Sequence, residues 1–145
     1  MATSKPELER KLFTVEEANA ALPLVKAIVR DIAELARELR EREDRLSRLE
    51  PSPRGALAKS YQEELEQAKG DFERDQEKLL EYARELNDLG VELKDHNMGL
   101  VDFPCWMDDR VVYLCWRLGE PEVAFWHEVD TGYAGRKKLT TRVKR

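Results

Sequence analysis

A histidine followed by a carboxylate, His127-Glu128, is the pair in this chain best suited to proton transfer or metal ligation. The chain holds two histidines, so His96 is the other imidazole that could join His127 around an ion. Neither HExxH, nor histidines paired at helical spacing, nor CxxC occurs, so no conventional zinc site and no cofactor is expected. His127 and Glu128 fall in a run, Val123 to Val129, that reads as a strand, and neighbours in a strand point to opposite faces. They cannot share one ligand unless a bulge intervenes. The plainer reading of His127, among Val123, Phe125 and Val129, is a buried and hydrogen-bonded core residue.

Gly132-Tyr133-Ala134-Gly135-Arg136 is a second candidate. Two glycines permit positive φ and free backbone N–H groups, and the arginine adds a planar donor, as in an anion cradle. The spacing is not that of a P-loop, and no Lys-Ser or Lys-Thr follows. A plain strand-exit turn, with Arg136 pairing to Glu128 or Asp130, accounts for the same residues. Cys105 and Cys115 are ten residues apart, and two buried free thiols are the ordinary outcome in a reducing compartment. A nucleophilic cysteine needs a base that the sequence does not place. Trp106, Trp116 and Trp126 recur every ten residues, as when successive strands each give one aromatic to a core. A base-stacking platform would want a basic stripe between them, and none is visible.

The elements that must position these groups divide the chain in two. Its 145 residues suit one domain spanning 1–145. The early part is rich in Leu, Ala, Glu and Arg, whereas ten of the eleven aromatics lie from Tyr61 onward. Thr14-Val15-Glu16-Glu17 has the form of a capping box opening a short helix through about Leu22, and Pro23 predicts a kink or a fresh start. Val25, Ile28, Ile32, Leu35, Leu39, Leu46 and Leu49 then form a heptad seam in which Arg42 takes one skipped position. Pro51-Ser52-Pro53-Arg54-Gly55 makes a turn. A second seam follows at Tyr61, Leu65, Ala68, Phe72, Leu79, Tyr82, Leu86 and Leu89, broken by Asp75, and Gly90 stands where a helix C′ residue belongs. Residues 13–90 are therefore expected to form an antiparallel, coiled-coil-like hairpin with a short N-terminal helix. Its arms outrun any small sheet, and a second copy is the expected cover, giving a homodimer.

Residues 91–135 read as an antiparallel sheet and 136–145 as a basic tail. Pro104 argues against a central strand at that point. Val111–Leu118 and Val123–Val129 are the clearest strands, joined by a loop of about four residues. Pairing Leu118 with Val123 puts His127 on the face of Leu114 and Trp116, and Glu128 opposite Tyr113. The formal charge of −5 lies in the first ninety residues, since 91–145 hold nine acidic and nine basic residues, so nucleic acid is not an expected partner. A charged start and no apolar run long enough to span a bilayer predict a cytoplasmic, membrane-free protein.

Several short motifs occur in order: Lys11-Leu12-Phe13-Thr14-Val15-Glu16-Glu17-Ala18-Asn19, Gly90-Val91-Glu92-Leu93-Lys94-Asp95, Gly99-Leu100-Val101-Asp102-Phe103-Pro104, Leu114 to Glu120, and Trp126-His127-Glu128 running on to Arg136. Together they resemble a bacterial family catalogued as domain of unknown function 2203. The resemblance implies no activity. It marks Asp102, Trp116, Gly119, Glu120, His127, Glu128 and Arg136 as motif positions, which adds Asp102 and Glu120 to the ligand-binding candidates Arg117 and Arg136.

The fold class read from the sequence is α+β. The function expected first is an interaction or scaffold module that self-associates through its hairpin. The alternative is a small enzyme or anion-binding protein built around His127, Glu128, Arg117 and Arg136, with His127 and Glu128 as its catalytic candidates.

Overall fold

A computed structural model describes residues 11–48 and 56–140. The predicted turn at 51–55, Leu49 and the last basic residues lie outside the described residues. Two long helices, α1 (Val15–Arg48) and α2 (Ala56–Asp88), precede five strands: β1 (Glu92–Asp95), β2 (Leu100–Met107), β3 (Arg110–Arg117), β4 (Phe125–His127) and β5 (Lys137–Lys138). The strands form one antiparallel sheet in chain order. The α+β layout is as expected. Among the described residues no helix is long and apolar enough to cross a membrane.

The capping box forms as written. Thr14 Oγ1 accepts from the Glu17 amide at 3.0 Å, and Glu17 returns a carboxylate to the Thr14 amide at 3.0 Å. Glu16 and Glu17 at the start of α1, with Arg45 and Arg48 at its end, oppose the helix dipole. The helix does not restart at Pro23 but runs through it as one element of 34 residues. Pro23 is exposed, so water can reach the Asn19 carbonyl that has lost its helical donor. The α2 C-terminus closes with Val91 N–H to Leu86 O (3.0 Å) and Gly90 N–H to Asn87 O (2.9 Å), the Schellman pattern, with Gly90 at φ 90°. The two polar breaks in the seams, Arg42 and Asp75, pair with each other.

Three strand expectations are corrected. Pro104 lies inside β2, an interior strand between β1 and β3, opposite Tyr113. Its carbonyl accepts from Phe13 N–H at 2.7 Å, so its backbone edge faces away from β3 and the missing N–H costs no bond to that strand. Next, β5 turns residues 137–138 into sheet and Leu139 is buried, so the sheet extends past 135 into the stretch read as a basic tail. Finally, β3 and β4 pair as Tyr113↔His127, Leu114↔Trp126 and Cys115↔Phe125, one residue away from the expected register. Val123 does not pair with Leu118, because the Asn19 side chain of α1 takes the Val123 N–H (2.8 Å) and carbonyl (3.3 Å).

That one-residue change decides which side chains meet, since directly opposed residues share a face. One face carries Val101, Phe103, Cys105, Val112, Leu114 and Trp116 into a core completed by Phe13, Val25, Val29 and Ile32 of the α1 segment and Leu86 of α2. Phe13 meets Phe103 edge-on, centroids 5.2 Å apart. The other face carries Asp102, Tyr113, Cys115, Phe125 and His127. Of the three tryptophans, Trp116 is fully buried and Trp126 packs partly on the core, but Trp106 is 58% exposed and contributes little to it.

Candidate functional site

The face turned away from the hydrophobic core is polar and nonetheless closed. Asp102, Cys115 and His127 are all buried, and one donor atom from each lies within 4.8 Å of the others. β2 supplies Asp102 and β3 supplies Cys115 directly opposite it; His127 reaches across β3 from β4. Its Nε2 lies 3.1 and 3.0 Å from the two oxygens of Asp102. Its Nδ1 lies 2.7 Å from the Glu128 carbonyl. A carbonyl only accepts, so Nδ1 carries a proton. The Nε2–Asp102 contact then needs one more proton, held on either the ring or the carboxyl, and the pair shares it.

Burial pushes the Asp102 carboxyl above the usual carboxylate range, against the opposing pull of His127 and Lys94. Burial, with the Asp102 carboxylate adding to it, pushes the Cys115 thiol up to about 11, despite Arg136 Nη1 lying 3.8 Å from its sulfur. Such a thiol is neutral and not a nucleophile at neutral pH. Cys105, also pushed up to about 11 by burial, faces the core on the other side of β2, so the free thiols do not meet.

Side chains surround this cluster. Tyr113 lies beside the His127 ring (centroids 5.5 Å) and donates to Glu92 at 3.1 Å. Lys94 pairs with Glu92 at 2.9 Å and lies over the Tyr113 ring. The Arg136 guanidinium lies over Phe125 at 3.9 Å and Tyr133 at 4.6 Å, and it grips both oxygens of Glu120, one of them at 3.2 Å. Glu120 also accepts from the Arg117 amide at 3.0 Å, while its carbonyl takes the Trp116 indole N–H at 3.0 Å.

The predicted site residues therefore separate. His127 and Asp102 come together. Glu128 contributes only its backbone carbonyl; its carboxylate, on the opposite face as strand alternation requires, pairs with Arg110. Arg110 accordingly holds the Glu128 carboxyl below its ordinary value. Arg136 pairs with Glu120, not with Glu128 or Asp130. Arg117 is exposed and donates to the Tyr133 hydroxyl at 3.0 Å. His96 sits in the exposed β1–β2 turn, outside the cluster.

The glycine loop forms a 3₁₀ turn over Tyr133–Gly135, and its Gly135 and Arg136 N–H groups bond to Gly132 and Tyr133 carbonyls, so they are not spare anion donors. Gly135 is required by space: a Cβ there would lie 2.6 Å from Thr131 Cβ. Sequence reasoning missed Cys115 as a neighbour of His127 because the shifted register placed the two on opposite faces. The signal that could have found it is Asn19, a polar residue next to the core positions of α1.

No curated protein and no solved structure matches this chain. A family model, described as Uncharacterized conserved protein (DUF2203), matches residues 11–139, and the chain belongs to that family.

Proposed function

We propose that this chain is a cytoplasmic assembly module that pairs with a second copy through the distal part of its helical hairpin. One observation carries the reading. After Leu39 in α1 and before Leu86 in α2, no described side chain is buried, although the apolar seam continues through Leu46, Tyr61, Leu65, Ala68 and Phe72. Leu46, Tyr61, Leu65 and Ala68, with Glu64, line a cleft of about 220 Å³. A two-helix contact covers one stripe on each helix, and here that stripe stays half-open. A second hairpin related by a twofold axis would close it as a four-helix bundle. The Arg42–Asp75 pair would then act as a polar layer within the bundle, a feature suited to fixing register between like partners.

The alternative of an anion site among His127, Glu128, Arg117 and Arg136 has less support, because the Glu128 carboxylate pairs with Arg110 on the face opposite His127, Arg136 pairs with Glu120, and Arg117 donates to Tyr133. Sedimentation at micromolar concentration tests the assembly reading. The expected result is a dimer that tightens with added salt, because the net −5 of residues 1–90 makes two hairpins repel. Leu46→Glu combined with Leu65→Glu should give a folded monomer with native helicity. A wild-type chain that stays strictly monomeric would sink the proposal.

A further inference from the structure

The cluster on the polar face combines three donor types that metals favour, an imidazole, a thiol and a carboxylate, all facing one point. A tetrahedral ion with bonds of about 2.0–2.3 Å holds its ligand atoms roughly 3.3–3.7 Å apart. The three atoms here lie within 4.8 Å of one another, with Nε2 and Asp102 at 3.0 Å, so small side-chain rotations suffice. The imidazole is already oriented for the task. Its Nδ1–H is committed to the Glu128 carbonyl at 2.7 Å, which leaves Nε2 as the ligating nitrogen, the usual arrangement behind a metal-bound histidine. Each nearby cation has its own carboxylate: Lys94 pairs with Glu92, and Arg136 with Glu120.

We propose that Asp102, Cys115 and His127 form a binding site for one divalent cation of borderline softness, with zinc(II) the best fit. The ion takes the place of the proton shared by His127 and Asp102, the Cys115 thiol gives up its own, and both protons pass to solvent. The dication, one carboxylate, one thiolate and a neutral imidazole sum to zero charge, the least costly state for a group this deeply buried. A set of three protein ligands leaves one position for water or a small ligand.

Cobalt(II) added to the reduced, metal-stripped full chain tests the site. One equivalent should bind with a thiolate-to-cobalt charge-transfer band, and zinc(II) should displace it. Cys115→Ser should abolish the band and weaken binding on the order of a hundredfold or more. Asp102→Asn should weaken binding, while Cys105→Ser and His96→Ala should change neither property. No binding to the folded wild type, binding without the band, or a band that survives Cys115→Ser would overturn the proposal. If Cys115→Ser fails to fold, Cys105→Ser decides, since a band lost with Cys105 also overturns it.

Discussion

The sheet and the outer hairpin are both regular in backbone and very different in burial. Around the sheet, Val25, Val29, Ile32, Phe103, Leu114 and Trp116 are almost fully removed from water, and the two charged-type side chains buried among the described residues, Asp102 and His127, are partners of each other. Past Leu39 the helices continue with regular backbone hydrogen bonds and no buried described side chain. Backbone regularity alone therefore does not show where the stability resides. The sheet end holds the fold together, and the outer hairpin is an extension whose cohesion rests on its partner arm.

Truncating the two regions should expose the contrast most sharply. Trp116→Ala should cost about 3–5 kcal/mol in chemical denaturation, enough to unfold a marginal domain, while Leu65→Ala at the half-exposed seam should cost less than about 1.5 kcal/mol. Equal costs would mean the outer hairpin is as well packed as the core. A smaller effect is expected at the polar face. His127→Phe or Asp102→Leu alone leaves a buried polar partner stranded and should cost about 3 kcal/mol, whereas the double variant should cost less than the sum. Additive losses would show that the two groups stabilise the sheet independently. The smallest effect belongs to Arg42 and Asp75, about a third exposed. A double-mutant cycle to alanine should return a coupling of about 0.2–1 kcal/mol, falling with salt. A coupling well above that range would place the pair in a drier setting, as a closed bundle would.

Much of this fold was legible in local chemistry. Thr14 and Glu17 announce the helix start, Gly90 the end of α2, and the seams mark the facing stripes of the two arms, although the pairing of their polar breaks, Arg42 with Asp75, was not read from them. These signals act within a few residues, or between two helices held in antiparallel register. The candidate site was less legible for a physical reason. Which face His127 shares with β3 depends on the β3–β4 register, and that is set by Asn19, which is distant in sequence. Pro104 was misread likewise, because its tolerance depends on the carbonyl partner Phe13 from outside the sheet. The stretch after 135 read as a basic tail, although Arg136 stacks on Phe125, residues 137–138 join the sheet and Leu139 is buried.

The Asn19 clamp on Val123 joins residues 104 positions apart. Closing so long a loop is slow beside the forming of a local hairpin. The tight pairing of Leu118 with Val123 is the one that neighbouring residues can try first, and it presents His127 to the wrong side of the sheet. The native register of β4 thus depends on a contact that α1 supplies, and the first helix sets the alignment of a strand more than a hundred residues away.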